Sequence, residues 1–306
     1  MNNVPIRFRE EVLLACNFCC LHEATLLTER WAAIAEMNIE RRAILDVMVD
    51  SETGQGYVCG RQIRNTNNAI PFDSLDFRFV TNFQLLCTPR LESDYSTWSK
   101  VSLQQMQKMT SKRACKESEL GLIGGLRSHN RISLCGLSEA SPDSNRIAKS
   151  IFHSLPLTNR LHFGRIDGFE RELGAFLQRL GPLYEVAVTG CTGITPRMVD
   201  ILVDNFEIHP TLTEKFALET PMSDAQLVRL IDKLHASDEC QCDCEVRLES
   251  ETATTKELME IYDFSAHFSH INYNDTNIVA HKGENAVMRL WVEMTRSIFW
   301  QWRTKY

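Results

Sequence analysis

The sequence lacks the patterns that mark secretion, membrane insertion or nucleic-acid binding. It has no run of about 18 apolar residues, so we expect no membrane span. The first 20 residues carry Arg7, Arg9, Glu10 and Glu11 where a secretory signal needs an unbroken apolar core. No lysine- and arginine-rich run offsets the net charge of −7, and phosphate binding needs a basic face. We therefore expect a cytoplasmic or nuclear protein that binds neither membranes nor nucleic acids.

Catalytic motifs are missing as well. The sequence contains no Gly-x-Ser-x-Gly nucleophile elbow, no His-Glu-x-x-His zinc helix and no Gly-x-Gly-x-x-Gly dinucleotide loop. The glycine-rich segment 121–125 lacks the Lys-Ser/Thr pair of a phosphate loop, so we interpret it as a linker or turn. The sequence predicts a protein that is not an enzyme and that needs no cofactor.

The composition is that of an ordinary globular protein. The chain has 306 residues, 43% of them hydrophobic and 24% charged, which suffices for one large or two modest domains. Its 11 cysteines are an odd number without the spacing of a disulfide framework. We expect reduced thiols that pack as small hydrophobic side chains.

Three of these cysteines lie close together. Cys240, Cys242 and Cys244 suggest a zinc site, with His267 and His270 as further ligands. Structural zinc sites, however, separate paired cysteines by two to four residues, and here only one residue intervenes. The alternation of apolar and polar residues from position 240 to 249 favours a β-strand instead. We interpret the two histidines as polar positions near a helix C-terminus and predict no metal.

The first 42 residues predict a small helical unit. Residues 7–16 read as a short helix, and residues 21–35 read as a longer amphipathic one. Such a unit is either a docking module or a cap on the rest of the protein. The predicted inward faces contain Phe8, Val12, Leu13 and Cys16 in the first helix, and Ala24, Leu27, Trp31 and Ile34 in the second.

The order and spacing of these residues resemble an F-box. The pair Val4 and Pro5 opens the segment, and Trp31 follows Pro5 after 31 − 5 = 26 positions without a gap. Arg9 and Cys16 stand where the family has aliphatic residues, and Thr28-Glu29 replaces its Cys-Arg pair. The segment is similar to the large, lineage-expanded F-box-type families of nematodes.

The resemblance implies a binding role. An F-box binds a Skp1-type adaptor and so joins a cullin complex that ubiquitylates a target. Carried over to this chain, the resemblance implies contacts with the Skp1-type protein from Pro5, Phe8, Val12, Leu13, Leu21, Leu27 and Trp31.

Residues 43–125 predict a β-rich segment followed by a polar linker. Extended runs occur at 44–49, 56–59 and 75–86, where Leu75, Phe77 and Phe79 alternate with other residues. Residues 101–116 are either a polar surface helix or part of a linker. We place a domain boundary near residue 125.

Residues 126–306 predict strand–helix repeats. Val188, Leu218 and Leu248 follow one another at steps of 218 − 188 = 30 and 248 − 218 = 30. Helix-start signals follow the extended segments: Thr195 with Pro196, Ser223 with Gln226, and Thr254 with Glu257. Short extended segments recur at 132–134, 161–163, 186–188, 216–218, 246–248 and 278–280.

Units of this length resemble leucine-rich repeats, and residues 186–191 match that family best. We predict a mixed α/β fold: an N-terminal helical unit, a β-rich middle segment and a C-terminal solenoid. An α/β sandwich with evenly spaced elements is the alternative. The aromatic residues of the last repeat form either its cap or a partner-binding surface: Trp291, Phe299, Trp300 and Trp302.

The F-box resemblance, joined to a repeat-like body, implies a substrate-recruiting adaptor of a Skp1–cullin–F-box ubiquitin ligase, with an unknown protein target bound by the repeats. Composition and periodicity by themselves indicate only a helical N-terminal unit and a repeat-like body. One alternative is a solenoid interaction protein unrelated to ubiquitin, in which the N-terminal helices cap the repeats. Another is a metal-dependent protein built on the cysteine cluster.

Overall fold

The structure is a computed structural model with a mixed α/β fold. It describes residues 4–16, 18–65, 69–88, 98–102, 104–105, 131–139, 142–155, 157–208, 213–236, 241–248, 254–282, 286–292 and 297–304. The chain divides into two compact units, Met1–Arg160 and Leu161–Tyr306. The boundary predicted near residue 125 lies outside the described residues, as does most of the predicted helix or linker at 101–116. No helix in the described ranges is long and apolar enough to cross a membrane.

The first unit begins with three helices, α1 (Ile6–Ala15), α2 (Phe18–Ala24) and α3 (Glu29–Arg41). The single helix predicted over 21–35 is wrong, because the chain turns between α2 and α3. The Thr25 hydroxyl donates to the His22 carbonyl at 2.6 Å, a local bond that competes with helix continuation. The three helices bury a shared core of Leu13, Leu21, Ala24, Ile34, Ala35 and Ile39.

A mixed sheet follows in the same unit. Its strands lie in the order β6-β4-β1-β2-β3, and β5 also pairs with β2. The β1–β4 and β4–β6 pairs are parallel, whereas β2 pairs antiparallel with β1, β3 and β5. Helix α4 (Pro142–Ser154) follows β6. The strands are β1 (Ala43–Asp50), β2 (Gly56–Gln62), β3 (Ala69–Ile70), β4 (Val80–Thr88), β5 (Ser99–Val101) and β6 (Arg131–Cys135).

The extended runs predicted at 44–49 and 56–59 are confirmed as parts of β1 and β2. The strand predicted from Leu75 is wrong over its first five residues, because Phe77–Phe79 is a 3-10 turn and β4 begins at Val80. The Asp76 carboxylate accepts a bond from the Arg78 backbone N–H at 3.1 Å and caps this turn.

The second unit alternates strands and helices. Strands β7, β8, β9 and β10 lie side by side in chain order, and the β8–β9 and β9–β10 pairs are parallel. The five predicted extended segments from 132–134 to 246–248 are all confirmed as strands. The elements are β7 (Arg160–Gly164), α5 (Glu170–Leu177), β8 (Glu185–Thr189), α6 (Pro196–Asn205), β9 (Thr213–Met222), α7 (Asp224–Ala236), β10 (Gln241–Leu248) and α8 (Thr255–Ile261).

The predicted helix starts are confirmed. The Thr195 hydroxyl accepts from the Met198 N–H, and Pro196 occupies the first turn of α6. Ser223 and Gln226 exchange reciprocal bonds at 3.0 and 3.4 Å before α7. Thr254 and Glu257 form a complete capping box at α8. These local bonds satisfy backbone donors that no helix can satisfy by itself.

The chain ends in an antiparallel meander, β11 (His270–Tyr273), β12 (Asn277–Lys282), β13 (Ala286–Val292) and β14 (Ser297–Thr304). Residues 278–280 are a strand as predicted, but they pair with β11 and β13 and do not continue the parallel series. Strand β14 instead pairs antiparallel with β10, with Trp300 opposite Cys244. It thereby covers an edge that would otherwise expose unpaired backbone groups.

Candidate functional site

The N-terminal helices expose several large apolar side chains although they have a core of their own. Phe8 in α1 is 52% exposed, and Leu27 in the turn before α3 is 55% exposed. Ile6 is 61% exposed, and Leu26 is 85% exposed. Exposed apolar groups on a small, independently packed unit are typical of a surface that another molecule covers.

The residues implied by the F-box resemblance divide into three groups. Pro5, Phe8 and Leu27 are exposed, and Val12 and Trp31 are half-buried. Leu13 and Leu21 are buried in the core of the helices, where they support the unit but offer no surface to a partner. The structure adds Ile6 and Leu26 to the exposed set. The exposure of Leu26 was not predicted, because residues 21–35 were predicted to form one helix and the turn after Ala24 was not foreseen.

A buried arginine holds the helices together. Arg42 follows α3, and its Nη2 atom donates to the carbonyls of Leu13 and Leu14 at 3.2 Å and to that of Cys16. These carbonyls lie at the end of α1 or just after it, and the Leu13 carbonyl also accepts from the Cys16 N–H at 3.3 Å. Burial lowers the pKa of Arg42 to about 10, so the guanidinium stays charged at neutral pH. Arg42 therefore fixes the end of α1 against the end of α3.

Arg9 in α1 is buried although it carries a charge, with only 6% of the residue exposed. The Nε atom of Arg9 has no hydrogen-bond partner among the described residues. The methylene groups of Arg9 are therefore the part of its side chain that packs among apolar neighbours.

The strand interpretation of the cysteine-rich segment is confirmed. Cys244 and Val246 in β10 are buried, whereas Glu245 and Arg247 are exposed. Cys240 lies outside the described residues, and so does the side chain of Cys242. The buried Cys244 packs as a small apolar residue.

A cluster of polar side chains lies at the end of α7, in the second unit. Asp232 and His235 occupy the last turns of that helix, three positions apart and hence on one face. His267 follows the 3-10 turn Phe264–Ala266, and its ring centroid lies 4.2 Å from that of His235. One ligand atom from each of Asp232, His235 and His267 lies within 4.8 Å of the others.

Tyr262 links the members of this cluster. Its hydroxyl lies 3.1 Å from Asp232 Oδ1 and 3.2 Å from His235 Nδ1. Its ring stacks on that of His267 with centroids 5.5 Å apart. Burial raises the pKa of Tyr262, and its hydrogen bond to the Asp232 carboxylate raises it further. Tyr262 therefore remains a protonated hydrogen-bond donor throughout the physiological range.

Burial lowers the pKa of His235, and the neighbouring His267 lowers it further. The imidazole is therefore neutral at pH 7 and keeps one nitrogen lone pair. Lys282 Nζ donates to the His235 backbone carbonyl at 2.7 Å and brings a positive charge nearby.

His270 does not belong to this cluster. It starts β11, is exposed and stands opposite His281 in the antiparallel pairing. The prediction of a helix C-terminus for the two histidines is wrong, because α8 ends at Ile261. The contact between His235 and His267 was not predicted, because it joins two turns that are far apart in the sequence.

Comparison with known proteins identifies no relative: no protein-family model, no curated protein and no solved structure matches the chain. The case for a function therefore rests on the residues themselves.

Proposed function

We propose that this protein is a substrate-recruiting adaptor of a Skp1–cullin–F-box ubiquitin ligase. Its three N-terminal helices bind a Skp1-type protein, and its strand–helix units bind the target. The observation that carries the proposal is the exposure of Phe8 and Leu27 on a helical unit with its own buried core.

The distribution of exposed apolar side chains supports a docking role. Six large hydrophobic residues are exposed in the described part of the chain, and four of them precede residue 28. The other two are Leu157 and Tyr273. Single exposed apolar residues are normal, but such a concentration in one small unit favours a protein-binding surface.

The two aromatic side chains of this unit differ in their surroundings. Trp31 packs against the core of the helices themselves, whereas Phe8 is exposed. Phe8 is therefore available to a binding partner.

The second unit supports the target-binding half of the proposal. Residues one repeat apart contact each other there: Arg229 pairs with Asp200 across 29 residues, and Gln226 donates to the Pro196 carbonyl across 30. The segment before β8 and the segment after α6 are joined as well, because Leu183 and Phe206 form an isolated parallel bridge. Contacts that recur at the repeat length are the rule in solenoids, whose sheets offer extended binding surfaces.

In this mechanism the protein catalyses no bond change. It holds a target beside the ubiquitin-transferring enzymes of the ligase, so that transfer occurs at a high effective concentration. The rate of ubiquitylation then depends on two separate surfaces, one for the Skp1-type protein and one for the target.

Co-precipitation of the full chain with a Skp1-type protein and a cullin tests the proposal. We expect the wild type to retain both proteins and a Phe8→Asp/Leu27→Asp variant to lose them. Both side chains are exposed, so these changes leave the core of the helices intact. Leu157→Asp is the matched control, because Leu157 is 43% exposed but lies outside the helices.

Failure of the wild type to retain the Skp1-type protein would contradict the proposal and favour a solenoid protein unrelated to ubiquitin. Equal retention by the wild type and the double variant would contradict the proposed surface.

A further inference from the structure

We propose that Asp232, His235 and His267 bind one divalent transition-metal ion, for which Zn²⁺ is a suitable probe. Two imidazoles and a carboxylate are a ligand set that zinc and its neighbours in the first transition series accept. This inference concerns the second unit and does not depend on the proposed adaptor function.

The distances suit metal binding after a small adjustment. One ligand atom from each of the three residues lies within 4.8 Å of the other two. Zinc bonds of 2.0–2.2 Å in a tetrahedron place ligand atoms about 3.4 Å apart. Asp232 and His267 are exposed, so both can move inward without repacking the core.

The electrostatics also suit a cation. Asp232 supplies a formal negative charge, and an imidazole nitrogen that carries no proton offers a lone pair. A second carboxylate, Asp263, interacts electrostatically with His267, while Lys282 contributes one positive charge near His235. Asp232 and Asp263 thus place two carboxylates beside the two imidazoles.

Tyr262 holds two of the proposed ligands in position. Its hydroxyl contacts both Asp232 and His235, and such partners orient metal ligands. Its own position is fixed, because it is buried and its ring meets that of Phe264 with centroids 4.9 Å apart. Tyr262 is therefore a positioning residue, and its hydroxyl is the part that matters for the metal.

The arrangement provides three protein ligands, which leaves a fourth position for water. Zinc sites with three protein ligands keep one coordination position open, whereas structural zinc sites have four protein ligands. The exposure of Asp232 and His267 gives the ion a path from solvent.

Isothermal titration of the metal-free full chain with ZnCl₂ tests the proposal. We expect one tight site in the wild type and a loss of at least tenfold in affinity in His267→Ala. His270→Ala is the matched control, since His270 is an exposed histidine three residues away that lies outside the cluster. It should bind zinc as the wild type does.

Tyr262→Phe keeps the ring and removes only the hydroxyl, so it separates positioning from folding. Loss of such a partner weakens metal binding about 10- to 100-fold. We expect a decrease in that range in a protein whose circular dichroism is unchanged. If His267→Ala fails to fold, this variant alone decides the question.

Cobalt distinguishes the cluster from the cysteines. Co²⁺ bound to imidazole and carboxylate shows d–d bands without the sulfur-to-metal charge-transfer band of thiolate ligands. We expect the wild type to show the former spectrum. A charge-transfer band at one equivalent, equal zinc affinity in His267→Ala and His270→Ala, or unchanged affinity in Tyr262→Phe would overturn the proposal.

Discussion

The hydroxyl of Tyr262 lies 3.1 Å from the Oδ1 atom of Asp232, which precedes it by 30 residues. Lys233 donates to the Asp204 carbonyl across 29 residues, close to the same offset. Each contact joins the end of one helix to the segment that follows the next strand. The offset of these polar contacts is therefore close to the step of 30 residues from Val188 to Leu218 and from Leu218 to Leu248. The Tyr262 contact additionally brings His235 and His267 together.

The environment of His235 predicts a pH effect on stability. Its folded-state pKa is lowered, so the unfolded chain takes up the proton first as the pH falls through about 6.5. The stabilising contribution of the neutral ring is complete above that pH and is lost below it. The groups around the ring are Asp232, Tyr262, His267 and Lys282.

We expect urea unfolding midpoints of the wild type to fall between about pH 7 and pH 5.5, and we expect a smaller fall in His235→Gln. His270→Gln is the control, because its ring is exposed on β11 and should leave the fall unchanged. An equal fall in all three proteins would show that His235 does not contribute.

Loss of the Arg42 side chain should open the N-terminal helices. Arg42→Ala leaves carbonyls of Leu13, Leu14 and Cys16 without their charged donor, at a cost of about 2 kcal/mol or more. That energy corresponds to about 30-fold faster hydrogen exchange in α1, measured by mass spectrometry of the full chain. Arg41→Ala is the control, since Arg41 is exposed and adjacent. Unchanged exchange in Arg42→Ala would contradict the role assigned to this residue.

The strand–helix series was predictable because its signals are local. Thr195 with Pro196 and Thr254 with Glu257 specify helix starts within four residues, whatever surrounds them. Alternation identifies β10 in the same way, since Cys244 and Val246 point to the core and their neighbours to solvent. These elements depend on periodicities that a sequence displays directly.

Non-local pairings were not predictable on the same grounds. The pairing of β14 with β10 places Trp300 opposite Cys244, and no short pattern encodes so distant a contact. The contact between His235 and His267 has the same origin, since His235 lies in the last turn of α7 and His267 lies beyond α8. Local signals also failed at Phe77 and Phe79, where the Asp76 cap outweighed the alternation.

Arg9 tests whether a buried charge stabilises the N-terminal helices. Arg9→Leu places an aliphatic residue at a position that is 6% exposed and removes a buried Nε atom without a partner in the described part of the chain. Replacement of a buried charge by a hydrophobic side chain is often neutral or stabilising. We expect an equal or higher melting temperature and full binding of the Skp1-type protein.

Arg7→Leu is the comparison, because Arg7 is exposed in the same helix and should change the melting temperature little. A clearly lower melting temperature for Arg9→Leu alone would mean that the guanidinium stabilises the unit.

The most direct test of the adaptor proposal is the dissociation constant between the purified full chain and a Skp1-type protein, measured by titration calorimetry. We predict saturable one-to-one binding, at least tenfold weaker in Leu27→Asp and unchanged in Leu157→Asp. A wild type without measurable binding, or equal constants for the two variants, would contradict the account.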